Sequence, residues 1–146
     1  MDDAIALFRD PQPIAVVGAS ANPHKFGFTI CKTLKERGFA VYAVNPGAAG
    51  EGKNAYYKSL RDIPDGVEAA VVCIRPEKAE QLVDDAAARG IGRIWFQQGA
   101  DFSNVAAEAR GKGIATVIDK CILMYTEPVT GIHKVHRFLW KLIGKY

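Results

Sequence analysis

The chain has 146 residues, 49% of them hydrophobic and 24% charged, enough for one domain with a sizeable core and ordinary for a folded globular protein. No apolar run approaches the roughly 18 residues that span a bilayer, and Met1-Asp2-Asp3 is acidic where a secretory leader would be basic. Net charge is +3, but Lys134, Arg137, Lys141 and Lys145 follow Glu127 without an acid among them; removing those four leaves the rest of the chain at −1. Three cysteines (Cys31, Cys73, Cys121) show no C-x-x-C spacing and form an odd count, so free thiols in a reducing cytoplasm are expected.

Asp2 to Phe8 reads as a short helix anchored by Ile5 and Phe8, ended by Asp10-Pro11-Gln12-Pro13. Ile14 to Val17 is an unbroken apolar run between Pro13 and Gly18, the pattern of a strand buried on both faces. Gly18 permits a sharp turn, Ala19 and Ser20 keep it narrow, and a helix from about Gly27 to Arg37 stops at Gly38. Ala40 to Val44 is a second buried strand, stopped by Asn45-Pro46-Gly47, and Ala55 to Tyr57 reads as a short edge strand. Leu60 and Ile63 share a face of one helical turn. Ala69 to Ile74 is the next strand, broken by Arg75-Pro76. Pro76 then suits the first position of a helix that ends at Gly90, with Ala79, Leu82, Val83 and Ala86 as its buried stripe. Arg93 to Phe96 is a strand leaving through Gln97-Gln98-Gly99. Ser103 caps a helix that ends at Gly111 to Gly113, and Ala115 to Ile118 is the last main strand, leaving through Asp119-Lys120-Cys121.

Such alternation predicts an α/β chain: a Rossmann-like, doubly wound parallel sheet in three layers, with right-handed crossovers. Counting Ala55 to Tyr57 as the third strand gives the order 3-2-1-4-5-6. The switch point then falls between Gly18–Ser20 and Ile74–Pro76, where ligands of such sheets bind. One domain spanning 1–146 is expected, with its core at about 5–125 and an amphipathic C-terminal helix at about 131–145.

A narrow strand–turn–helix directs backbone N–H groups and a positive helix end at one spot, which suits a phosphate. An empty tight turn accounts for the same residues equally well. A dinucleotide site would show G-x-G-x-x-G and an acid after the second strand; here Ser20 replaces the second glycine and Asn45-Pro46 follows that strand, against NAD. Gly47 to Gly50 offers no arginine for NADP, and no P-loop is present. Lys25 and Arg75 are placed to meet phosphates, although a lone lysine is more commonly a solvated cation.

Val16-Val17-Gly18-Ala19-Ser20-Ala21-Asn22-Pro23, Val44-Asn45-Pro46, Arg75-Pro76, Trp95-Phe96-Gln97-Gln98-Gly99 and Asp119-Lys120-Cys121-Ile122, in that order, resemble the small stand-alone CoA-binding proteins. Their domain also forms the CoA-binding part of the succinyl-CoA synthetase α subunit. The resemblance implies coenzyme A or an acyl-CoA as ligand, with its diphosphate at Gly18, Ala19, Ser20 and Lys25. It further implies Asn45 and Pro46 flanking the nucleotide, Ile74, Arg75 and Pro76 along the adenosine, and Gln98 and Gly99 near the pantetheine arm. Many relatives carry a lysine after the Asn-Pro pair where this chain has Gly47, which leaves the 3′-phosphate contact missing or moved to Lys53. Gln98 stands where a proline is common. No histidine lies between His24 and His133, so the synthetase's phosphohistidine chemistry does not transfer and binding without catalysis is expected.

Cys121, past the last strand, is either a partner for the CoA thiol or a small buried side chain, the commoner state of a free cysteine. His133 and His136 make at most half a metal site. The segment Gly131 to Tyr146 sets Ile132, Val135, Leu139, Leu142 and Ile143 against its four cations. It reads as a helix docked on the domain, with an electrostatic adaptor or a homo-oligomer contact through Phe138 and Trp140 as alternatives. A small nucleotide ligand is the expected partner, rather than nucleic acid or membrane. An NAD(P)-linked or Cys121-based redox sensor is the remaining rival.

Overall fold

The computed structural model describes residues 3–45, 56–79 and 81–126. Five strands form one all-parallel sheet: β1 (Pro13–Val17), β2 (Ala40–Val44), β3 (Ala69–Val72), β4 (Arg93–Gln97) and β5 (Ala115–Lys120), in the order β2-β1-β3-β4-β5. The expected third strand is reduced to a single parallel bridge, Val44 to Tyr57, beside β2. Asn45 N–H donates to the Tyr57 carbonyl and Tyr57 N–H to the Ala43 carbonyl, both at 2.9 Å. Its place matches the doubly wound order; its extent is one residue.

Side-chain alternation on the central strands builds two cores. Ala15, Val17, Ala70, Val72, Ile94 and Phe96 face one side, covered by the 3₁₀ turn Leu60–Asp62 and by α3 (Leu82–Arg89) and α4 (Ser103–Gly111). Ile14, Val16, Ala69, Val71 and Trp95 face the other, covered by α1 (Asp3–Ala6), α2 (Phe26–Glu36) and the 3₁₀ turn Ile122–Met124. This is the three-layer arrangement that two-sided apolar strands require.

Three expectations are corrected. β2 is not a buried strand: Ala40 is exposed, Val41 to Ala43 are half-buried and only Val44 is enclosed, because β2 lies at the sheet edge. The helix expected from Pro76 divides into a 3₁₀ turn, Pro76–Lys78, and α3. Ala79 N–H bonds back to Pro76 and Leu82 N–H to Ala79, three residues rather than four, so the chain winds too tightly to continue as one α-helix. Its stripe of Ala79, Leu82, Val83 and Ala86 is nonetheless buried, and Gly90 ends α3 in the left-handed region at φ +80°. Finally, Ser103 is the first residue of α4 rather than its cap; the Asp101 carboxylate takes the Ser103 N–H at 2.9 Å. Residues 131–145, Pro46 and Ala55 lie outside the described residues.

Candidate functional site: a cavity at the strand exits

At the carboxyl edge of the sheet the chain leaves β1 through Gly18 at φ +93°, a conformation that favours glycine. Hydrogen bonds lock the exit between its neighbours: Gly18 N–H donates to the Val44 carbonyl at 2.9 Å, and Cys73 N–H donates to the Val17 carbonyl at 2.8 Å. A Cβ on Gly18 would stand 3.0 Å from the Cys73 carbonyl carbon and oxygen and from Ile74 Cγ2. Protein backbone therefore already demands the glycine on this side. Ser20 Oγ accepts from Asn22 N–H at 3.0 Å, and Asn22 Oδ1 accepts from His24 N–H at 2.9 Å, folding the link into α2.

Gly27, in the first turn of α2, packs directly on the Gly18 carbonyl. Lys25, extended at the N-cap, forms no side-chain cap; Phe28 N–H turns back to the Lys25 carbonyl at 3.2 Å, and the Phe26 and Gly27 N–H groups at the head of α2 take no side-chain cap. Asn45 braces the turn from β2 by donating its amide to the Ala19 carbonyl at 2.7 Å.

Around this turn opens a cavity of 1140 Å³. Six of the expected residues line it: Gly18, Ser20, Lys25, Asn45, Ile74 and Arg75. Ala19 lies fully buried beneath the turn, with its carbonyl engaged by Asn45. Pro76 opens the neighbouring 3₁₀ turn, and Gln98 and Gly99 follow β4; none of these is among the lining residues. Pro46 falls outside the described residues.

Cys121 is 8% exposed and is not itself a lining residue, although its thiol neighbours that of Cys73 on the wall. It accepts the Gln97 Nε2–H at 3.4 Å, while Gln97 Oε1 takes the Ile122 N–H at 2.7 Å. Gln97, buried and overlooked beside Gln98, thus ties the end of β4 to the chain leaving β5. Parity with Trp95 on the same strand was the available signal. A second wall, also unforeseen, comes from Lys58, Ser59, Leu60, Lys78, Gln81, Leu82 and Asp85, on the α3 side of the sheet.

The thiol on the wall is chemically quiet. Burial, with the neighbouring Cys31 and Cys121 thiols, pushes Cys73 up to about 12. Burial, against an opposing Lys35, pushes Cys31 up to about 11. An unfolded thiol near 9.0 ionises first, so between roughly pH 9 and 12 unfolding releases protons and stability falls as pH rises; below 9 this contribution is intact. One such thiol gives a slope of about 1.4 kcal/mol per pH unit. Urea midpoints should hold from pH 7 to 8.5 and decline above 9, with Cys73→Ala reducing the decline. An unchanged decline in that variant would assign it to other groups.

The family model described as "CoA binding domain" matches residues 12–127. The chain is 38% identical over 93 residues to the ADP-forming acetate–CoA ligase I subunit alpha of Pyrococcus furiosus, covering 59% of this chain and 20% of that one. It spans a fifth or less of the first curated relatives it matches. Among solved structures, a conserved hypothetical protein from Pyrococcus furiosus superposes with a TM-score of 0.69 at 34% identity, covering 76% of this chain and 96% of that one. A Thermus thermophilus protein gives 0.72 at 26% identity, covering 83% and 93%.

Proposed function

Because the chain belongs to the CoA-binding domain family, we propose that it binds coenzyme A or an acyl-CoA in the cavity at the strand exits and catalyses no reaction by itself. The observation that carries this reading is the meeting of the Gly18 turn with the uncapped start of α2 inside a cavity that also holds Lys25 and Arg75. A diphosphate lies against backbone N–H groups there, and the two cations offset its charge. Asn45 braces the turn through one amide N–H on Ala19, and its Oδ1 is an acceptor on the cavity wall.

Absence of catalysis rests on the groups available to an occupant. The Cys73 thiol stays protonated at neutral pH and the Asp85 carboxylate is paired with Arg61. The same proposal takes residues 1–146 as a single domain with its core at about 5–125. It places the protein in the cytoplasm, where free Cys31, Cys73 and Cys121 suit a reducing environment.

Calorimetric titration tests the ligand. CoA should bind at least about tenfold more tightly than NAD, a difference of about 1.4 kcal/mol. Ser20 occupies the place of the second dinucleotide glycine, and Asn45 supplies no acid for ribose hydroxyls. Tighter binding of NAD would overturn the reading.

A further inference from the structure

Asp85 is out of keeping with the cavity that it lines. Lys25, Lys58, Arg75 and Lys78 give that cavity a cationic lining suited to phosphates, yet a carboxylate only 9% exposed contributes to the wall. It belongs to α3, on the face of the sheet opposite α2, whereas the phosphate turn meets the start of α2. Two donors hold it in place: Arg61 Nε at 2.5 Å and Gln81 Nε2 at 3.4 Å. Both bonds end on Oδ1, and Oδ2 takes none from the described residues. Leu60 and Leu82, from the same wall, add apolar lining alongside Lys58 and Lys78. Apolar walls with one fixed acceptor suit a flat heteroaromatic ring bearing an N–H donor.

We infer that Asp85 is the base-reading residue of this cavity: Oδ2 accepts a hydrogen bond from the exocyclic amine of a 6-aminopurine, and Arg61 and Gln81 position the carboxylate through Oδ1. The inference rests on the coenzyme A reading, which supplies an adenine tethered to the diphosphate. A 6-oxopurine would present a carbonyl oxygen at the position of the amine, two acceptors facing each other; its nearest donor, N1–H, lies one ring atom away and reaches Oδ2 only if the base shifts. The diphosphate tether opposes that shift, so the mismatch costs the analogue affinity.

The test compares CoA with its hypoxanthine analogue, in which oxygen replaces the 6-amino group, by calorimetry on the full chain. Wild type should bind CoA at least about tenfold more tightly than the analogue. In Asp85→Asn, Arg61 retains the oxygen acceptor and Nδ2 turns a donor toward the base, so the ratio should fall to about twofold or invert. Asp85→Ser is measured in parallel, and the ratio is read in whichever variant keeps the wild-type circular dichroism spectrum. Equal wild-type affinities, or a folded variant that keeps the full preference, would overturn the role of Asp85 and leave it as a clamp between α3 and the 60–62 turn. Wild type binding neither compound would instead remove the coenzyme reading on which the inference depends.

Discussion

Gly27→Ala should cost about 3 kcal/mol or more of stability and abolish CoA binding in the fraction that stays folded. The added Cβ would overlap the Gly18 carbonyl oxygen and come within 3.0 Å of the Gly18 carbonyl carbon and 3.3 Å of Ala19 Cα. All three are backbone atoms, and no rotamer change can move them. Relief requires α2 to withdraw from the β1 exit, which takes its leading N–H groups away from the turn. Thermal unfolding should fall by roughly 6–12 °C at this chain length. Gly92→Ala is the control, because a Cβ there meets nothing within 4 Å. An unchanged melting temperature with intact CoA affinity in Gly27→Ala would mean that α2 does not rest on the Gly18 carbonyl.

Truncating Trp95 should be comparably severe, through a different mechanism. Its ring is fully buried in β4, 5.3 Å from Phe8 in an edge-on arrangement and 5.6 Å from Tyr125. Its indole N–H donates to the Lys120 carbonyl at 2.8 Å. Trp95→Ala opens a large cavity between the sheet, α1 and the chain after β5, and about 3–5 kcal/mol is expected in urea denaturation. Trp95→Phe keeps an aromatic body and loses the bond to Lys120, so a smaller loss is expected. A Trp95→Ala protein within 1 kcal/mol of the parent would show that this side of the sheet collapses without penalty.

The central strands were legible because β1, β3 and β4 are apolar on both faces, and short apolar runs between glycine, proline and polar residues have few other uses. The half-burial of β2 was not, since Ala40 to Val44 looks as apolar as its neighbours and only its edge position distinguishes it. The strand–turn–helix after β1 was legible from Gly18, Ser20 and the helix start that follows. Gly18 reads from the sequence as permitting a sharp turn; that Cys73 and Ile74 fill the space beside it is a tertiary demand no local pattern records. Lys58, Ser59, Gln81 and Asp85 were illegible as site residues. They reach the cavity through crossovers, and no local pattern records how closely a turn and a helix approach across a sheet edge. Ser103 misled for a related reason, because an aspartate two residues earlier can supply the same acceptor.

The parallel pairing of β1 also bears on how the chain is made. Ile14 pairs with Val41 on one side and Ala69 on the other, so β1 cannot be enclosed until both partners exist. From Val17 to Val72 the ribosome adds 55 residues, which at roughly 5–20 residues per second takes about 3–11 seconds. Both edges of β1 are unpaired until β2 is made, and the edge toward β3 stays open for the whole interval, with apolar side chains on both faces. Pro13 and Gly18 keep this sticky segment to four residues, short of the five to seven that favour self-association. The residues that bound the strand in the finished domain therefore also protect it while it waits for its partners during synthesis.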